Sequence, residues 1–82
     1  MSLSADEAIL LIQGRLPYLS GVLRPAARIG ELGLDSLDSL ELLLVADELF
    51  GVRLSADDLE NMNTVGELAE QLAARAREVP QA

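Results

Sequence analysis

Apolar residues along this chain recur at the spacing of an α-helix, and no run alternates between apolar and polar residues as a half-buried strand would. The first helical stretch follows Ser4, a favourable N-cap with Glu7 as its capping partner three residues later. The stretch then meets Pro17, which restricts the helix that precedes it. This pattern predicts a first amphipathic helix from Ala5 to about Leu16.

The middle of the chain combines a long connector with the most leucine-rich helical stretch. The connector runs from Tyr18 to Leu34 and contains several glycines and a proline. It is long for a small domain, and its apolar residues predict that it packs onto the core. The second helix is predicted to begin at Asp35 or Ser36 and to end near Gly51, a residue suited to a left-handed C-terminal cap.

Two further helices are predicted in the last third of the chain. A serine with an acidic capping partner predicts a short third helix from Ala56 to about Asn61. The last helix is predicted to begin after Asn63 or Thr64 and to run to about Glu78. The expected fold is all-α: a small four-helix bundle, with three longer helices, one short third helix and a long first loop.

The composition limits the chemistry available to the chain. With 82 residues it is too short for several domains, so residues 1–82 are predicted to fold as one domain. The chain has no cysteine and no histidine. Thiolate catalysis, cysteine–zinc sites and the commonest general base are therefore excluded. We expect neither an enzyme nor a metal site.

The acidic residues are concentrated in the middle third of the chain. The net charge is −8, and residues 31–60 hold nine acids against one base. Such a field repels nucleic acid and anionic lipid and attracts the basic surfaces of partner proteins. No signal peptide is visible, and no apolar run approaches the roughly 20 residues of a membrane span. A cytoplasmic monomer is expected, with protein partners and without nucleic-acid or membrane binding.

The tripeptide Asp-Ser-Leu occurs twice in succession at the start of the second helix. Ser39 falls on the core side, where its hydroxyl is expected to bond back to the preceding turn. Ser36 lies in the first turn. If Asp35 caps the helix, with Asp38 as its partner, the Ser36 hydroxyl is free and an attached phosphate would face unpaired N–H groups. The alternative is that Ser36 is itself the cap, and its position alone does not decide between the two.

The second helix also has an apolar face opposite its core side. Three leucines share this face and three acids flank them. An apolar strip with acidic edges is typical of a docking site, although the connector or the third helix could cover part of it. We name these residues the acid-rimmed strip: Leu37, Leu40, Leu44, Glu41, Asp47 and Glu48.

Residues 32–42, Leu-Gly-Leu-Asp-Ser-Leu-Asp-Ser-Leu-Glu-Leu, resemble the Leu-Gly-x-Asp-Ser-Leu-x-x-[Val/Leu]-Glu-Leu signature of acyl carrier proteins. The likeness extends over residues 29–72. It implies a four-helix bundle with a covalent 4′-phosphopantetheine arm on Ser36, added from coenzyme A by a phosphopantetheinyl transferase. The acyl group would be held as a thioester on the thiol of this arm, so the carrier itself would be non-catalytic.

The same resemblance implies partners and a place for the cargo. Acyltransferase, ketosynthase or ligase enzymes with basic docking patches would bind the second helix. The positions that match the docking residues of this family are Asp35, Leu37, Leu40, Glu41, Leu44 and Glu48. In this family the acyl chain can enter between the helices, and the residues that could line such a pocket, or equally form plain core, are Leu42, Leu54, Leu59 and Met62.

Some features bear on the pathway rather than on the attachment site. The chain has no lysine, and its last helix lacks the aromatic–aliphatic ending often seen in fatty-acid carriers. These departures favour a discrete carrier of polyketide or other secondary metabolism over a carrier of fatty-acid biosynthesis. Leu34-Asp35 before the serine differs from the Gly-Gly-His-Ser of peptidyl carriers, but standalone aminoacyl carriers can look acyl-like.

Two further alternatives remain open. The first is an unmodified acidic helical adaptor for a basic partner, which would not need Ser36. The second is a divalent-cation binder that uses Asp35, Asp38 and Glu41, although their spacing by three on a helix is not that of an EF-hand loop.

Overall fold

A computed structural model describes residues 3–76, and over these residues the chain forms four α-helices in the predicted order. The helices are α1 (Ala5–Arg15), α2 (Ser36–Phe50), α3 (Ala56–Glu60) and α4 (Val65–Arg75). The connector between α1 and α2 contains two single 3₁₀ turns, Pro17–Leu19 and Ile29–Glu31. The predicted fold class, a small all-α bundle with one short third helix, is confirmed.

The observed helix ends differ from the predicted ones by about one residue. α1 ends at Arg15 rather than Leu16, and α3 ends at Glu60, with Asn61 as its C-cap. α4 ends at Arg75, and Ala76 is its C-cap. This last helix is the exception: it was expected to run to about Glu78, but it ends about three residues earlier because Ala76 already has a non-helical backbone, and residues 77 and 78 lie outside the described part of the chain.

Local capping accounts for where the helices begin. α1, α2 and α3 each start with a reciprocal capping box, in which the N-cap side chain and the third helical residue satisfy each other's backbone N–H groups. α4 starts differently: the hydroxyl of Thr64 accepts from the N–H of Glu67, while the Glu67 carboxylate accepts from the N–H of Asn63 at 2.8 Å. The three capping boxes are Ser4–Glu7, Asp35–Asp38 and Ser55–Asp58.

The core is built mainly where α1 and α4 pack together, with α2 completing one side. Phe50, at the end of α2, is fully buried, and Gly51 follows it in the left-handed conformation with φ 67°. No polar or charged residue among residues 3–76 is buried. The bundle is therefore stabilised by aliphatic burial, and its polar chemistry lies at the surface.

The connector packs onto the core, as predicted, and is tied to the start of α4. Leu23 is buried, and the N–H of Gly66 donates to the carbonyl oxygen of Pro25 at 3.0 Å. A Cβ atom on Gly66 would lie 2.9 Å from that oxygen, so this close approach requires glycine. Because the connector is held at this point, the chain enters α2 from a defined direction. Within residues 3–76, every helix is too short or too polar to cross a bilayer.

Candidate functional site

The start of α2 settles which residue caps the helix. Asp35 is the N-cap: its Oδ1 accepts from the N–H of Asp38 at 2.7 Å, and Asp38 Oδ2 accepts from the N–H of Asp35 at 3.4 Å. Ser36 is the first helical residue and is exposed. Of the two readings that the sequence left open, the capping role therefore belongs to Asp35. The hydroxyl of Ser36 is not part of the cap.

This helix start suits a phosphate that is covalently attached. The first backbone hydrogen bond of α2 runs from the N–H of Ser39 to the carbonyl of Asp35 at 3.0 Å, so the N–H groups of Ser36 and Leu37 precede the helical ladder. These groups and the helix dipole favour negative charge. The carboxylates of Asp35 and Asp38, which are themselves negative, disfavour a further negative charge at the same place. A free anion would feel both effects, whereas a phosphate ester on Ser36 is held by its covalent bond.

Ser39 does not make the hydrogen bond expected of it. It is half-buried one turn after Ser36, but its hydroxyl has no hydrogen-bond partner among the described residues. Ser36 and Ser39 instead line the same crevice between α2 and α3. Both serines therefore face this crevice, and they differ in that Ser36 is exposed and Ser39 is half-buried.

The leucines of the acid-rimmed strip are exposed on the outer face of α2. The exposed fractions are 61% for Leu37, 51% for Leu40 and 51% for Leu44. The connector and α3 therefore leave about half of each side chain uncovered. Apolar surface of this kind beside a helix start is available for contact with another molecule.

Each acid of the strip has a contact within the chain. The hydroxyl of Tyr18 donates to Glu41 Oε2 at 2.5 Å. Glu48 forms an ion pair with Arg15. Asp47 lies 3.9 Å from Arg53. The acidic rim is therefore held in place by residues of α1, the connector and the segment after α2.

The hydrogen bond from Tyr18 has an electrostatic consequence. Donation to the Glu41 carboxylate, with a smaller contribution from partial burial and from the negative charges of Glu41 and Asp38, raises the pKa of Tyr18 to about 12. The phenol therefore remains protonated at any physiological pH and continues to donate. A neutral phenol orients the Glu41 carboxylate but leaves its negative charge in place.

Arg15, Tyr18 and Arg53 also belong to this surface, although the sequence pattern did not predict them there. Arg15 and Glu48 are 33 positions apart, and Tyr18 and Glu41 are 23 positions apart. No local pattern connects residues at such distances. Only the packing of α1 and the connector against α2 brings them together.

Two adjoining crevices lie beside Ser36, between α2, α3 and the connector. One has a volume of about 470 Å³ and reaches Ser36 itself. The other has a volume of about 290 Å³ and extends towards Met62. Both are open to solvent, and the residues that line both are Leu34, Ser39, Leu59 and Glu60.

The four residues named as possible lining of an acyl pocket, or as plain core, are distributed over the core and three crevices. Leu59 and Met62 both line the smaller crevice. Leu54 lies beside Leu44 in a third crevice, which shares Leu40 and Leu43 with the one that reaches Ser36. Leu42 is only 2% exposed and belongs to the core. The crevice that reaches Ser36 is lined by residues of α2 and α3, and the smaller one mainly by the connector and the region of α3.

The acids considered as a cation site do not form one in the described part of the chain. Within residues 3–76, no group of three or more acidic, histidine or cysteine side chains is placed to hold a metal ion. Asp35 and Asp38 are directed at each other's backbone by the capping box.

Comparison with known proteins points to one family. Residues 11–72 match the family described as "Phosphopantetheine attachment site", and this match includes both serines. Over 73 residues the chain is 36% identical to the non-reducing polyketide synthase ausA of Emericella nidulans, which covers 84% of this chain and 3% of the synthase. Over 43 residues it is 40% identical to an acyl carrier protein of Acidothermus cellulolyticus, which covers 52% of this chain and 51% of that protein. The matched segments thus span about half of one relative and a small part of the other.

Proposed function

We propose that this chain, which belongs to the phosphopantetheine attachment family, is an acyl carrier that bears 4′-phosphopantetheine on Ser36. The observation that carries the assignment of the residue is the capping box of Asp35 and Asp38, which leaves the Ser36 hydroxyl exposed at the helix start. Ser39, the second serine of the motif, is half-buried. An enzyme that must reach a hydroxyl would meet Ser36 first.

The attachment is a phosphoryl-type transfer. The Ser36 oxygen forms a bond to the phosphorus of the phosphopantetheine half of coenzyme A. The pyrophosphate bond of coenzyme A breaks, and adenosine 3′,5′-bisphosphate leaves. The hydroxyl proton passes to a general base in the complex with the phosphopantetheinyl transferase.

The arm supplies the chemistry that the chain lacks. The sequence contains no cysteine, so a thioester can form only on a thiol brought by the prosthetic group. In this role the chain presents the acyl group and holds the arm, while the bond-making steps belong to partner enzymes. This agrees with the family, whose role is that of a carrier.

The outer face of α2 supports docking by such enzymes. Exposed leucines lie between carboxylates on this face, and a partner with basic residues around an apolar contact would complement it. We propose that the docking residues are Asp35, Leu37, Leu40, Glu41, Leu44, Asp47 and Glu48. The partners would be a phosphopantetheinyl transferase and the acyltransferase, ketosynthase or ligase enzymes that load and use the carrier.

The crevices beside Ser36 support a resting place for the acyl chain. Leu59 is buried at their shared wall and Met62 is half-buried at the far end. A chain that enters from Ser36 would pass Ser39 before it reaches Met62. The polyketide synthase and the acyl carrier protein among the relatives support a cargo from polyketide or fatty-acid biosynthesis.

Intact mass spectrometry tests this function directly. The chain would be incubated with coenzyme A and a broad-specificity phosphopantetheinyl transferase, alongside Ser36→Ala and the matched control Ser39→Ala. We expect wild type and Ser39→Ala each to gain the mass of one phosphopantetheine, and Ser36→Ala to gain none. If folded wild type gained no mass, the carrier function would be wrong and an unmodified adaptor would be favoured instead.

A further inference from the structure

The acids of α2 differ in whether a base opposes their charge. Near Ser36, Glu41 is contacted by the neutral hydroxyl of Tyr18, and among residues 3–76 no arginine lies within 4.0 Å of it. At the other end of the helix, Glu48 pairs with Arg15 and Asp47 lies near Arg53. The negative charge of the docking face is therefore not evenly spread along the helix.

The pairing at the distal end has a structural reason. Asp47 and Glu48 lie near the C-terminal end of α2, where the helix dipole is negative and added acids are unfavourable. The last turn of α2 contains no basic residue of its own. Arg15, from α1, and Arg53, from the following segment, supply the positive charges from outside the helix.

Glu41 differs from Asp47 and Glu48 in both its position on α2 and its neighbours. It lies five residues after Ser36, which corresponds to about 7.5 Å along the helix axis. Its neighbours on the same face are Leu37, four residues before it, and Leu44, three residues after it. The bond from Tyr18 restricts the carboxylate without removing its charge, so a partner's cation would meet a charge already held in position.

We propose that a docking enzyme makes its main ionic contact with this face at Glu41. The ion pair of Arg15 with Glu48 weakens the corresponding contact at Glu48. The inference rests on the proposed function and ranks the docking acids within it. The partner that fits presents an arginine or lysine beside an apolar side chain, so that its base meets Glu41 while the apolar group lies between Leu37 and Leu44. This arrangement places the partner's active site towards Ser36 rather than towards the end of α2.

The test compares two matched substitutions on one helix. The probe is the phosphopantetheinyl transferase with coenzyme A, and the quantity measured is the KM for the unmodified carrier at low salt. Glu41→Gln is expected to raise the KM by about two- to fivefold, the range for one exposed charge contact. Glu48→Gln makes the same chemical change and is expected to raise it by less than about 1.5-fold, because Arg15 already opposes that charge. Equal effects of the two substitutions would overturn the proposal.

A double-mutant cycle tests the role of Arg15. Arg15→Gln alone is expected to lower the KM, because it releases the Glu48 carboxylate to a basic partner. In the Arg15→Gln background, Glu48→Gln should then raise the KM by about two- to fivefold. If the effect of Glu48→Gln were the same in both backgrounds, Arg15 would not control this acid and the proposal would be wrong.

Two controls separate this outcome from others. Thermal unfolding followed by circular dichroism shows whether each variant is folded before its KM is compared. The mass gain of wild type reports the proposed function independently. A wild type that accepts the arm, with no difference between Glu41→Gln and Glu48→Gln, would retain the carrier function and reject only the ranking of the acids.

Discussion

The two faces of α2 both carry large apolar side chains, in opposite environments. Leu42 and Phe50, on the inner face, are buried, whereas Leu37 and Leu44, on the outer face, are largely exposed. The difference lies only in angular position around one helix. Leucine content alone therefore does not distinguish residues that stabilise the fold from residues that can contact a partner. The burial or exposure of each face makes this distinction.

The outer face also differs in how its polar groups are used. Its acids are contacted by α1, the connector and the segment after α2, while the buried residues of the inner face belong to the hydrophobic core. The outer face is thus a composite surface that several elements build together. Substitutions on the two faces should have separable consequences.

The largest expected difference between the faces is in stability. Leu42→Ala should lower the free energy of unfolding by about 2–5 kcal/mol, because it removes a buried side chain and leaves a cavity. Leu44→Ala, the matched change on the outer face, should lower it by about 0.5 kcal/mol or less. Urea unfolding of both variants measures the difference. Similar losses would mean that the outer leucine is part of the core.

Docking should reverse this order. Leu44→Ala is expected to weaken the complex with a phosphopantetheinyl transferase by about 1–2 kcal/mol, a five- to thirtyfold rise in the KM, because its exposed side chain would be buried on docking. Leu10→Ala is the control, since Leu10 is a leucine on α1 that is 66% exposed, against 51% for Leu44. If both substitutions raised the KM to the same extent, the effect would not belong to the face of α2.

The start of α2 offers a third comparison, between the cap and the proposed attachment residue. Asp35→Ala removes the N-cap and should lower the free energy of unfolding by about 1 kcal/mol. Ser36→Ala should change it by no more than about 0.5 kcal/mol, because the Ser36 hydroxyl takes no part in the capping box. Thermal unfolding of the two variants measures this. A larger loss in Ser36→Ala would identify Ser36 as the cap.

The smallest expected effect concerns Asp58, which lies on neither face of α2. The backbone N–H of Ser55 and then its hydroxyl lower the pKa of the Asp58 carboxyl from its ordinary value of 3.8. The ionised form is therefore favoured in the folded state. Its contribution to stability is present above the ordinary pKa and is lost as the pH falls through the lower, folded-state pKa.

Urea unfolding of wild type and Asp58→Asn, from about pH 7 to about pH 3, tests this sign. The stability difference between the two proteins should be largest near neutral pH and should shrink in acid. The KM for the transferase should not respond, because Asp58 belongs to the capping box of α3. A difference that grew as the pH fell would contradict the stated direction of the pKa shift.

Much of the site could be read from the sequence because it depends on short-range rules. A capping pair three residues apart predicted the starts of α1 and α3, and the same rule allowed Asp35 as the cap of α2. Helical periodicity predicted that Leu37, Leu40 and Leu44 would share an outer face, and they are exposed. The resemblance carried by residues 32–42 predicted the family, and the match over residues 11–72 confirms it.

Other expectations failed where distant segments meet. Ser39 was expected to bond to its own helix, but it faces a crevice completed by α3 and the connector. Leu42, Leu54 and Leu59 could have been pocket lining or plain core, and only the structure shows Leu42 and Leu59 buried and Leu54 beside a surface crevice. Each of these depends on which surface lies opposite the residue, and periodicity along one helix carries no such information.

The amino-acid sequence was therefore sufficient for the order of the helices, the caps of α1 and α3, the concentration of acids and the family, since each follows from residues near one another in the chain. The tertiary structure was required to show which acidic side chains lie next to a basic side chain. The ion pair of Arg15 with Glu48 and the hydrogen bond of Tyr18 to Glu41 exist because α1 and the connector pack beside α2. Electrostatic contacts depend on distance in space, and in a folded chain that distance is set by packing rather than by sequence separation.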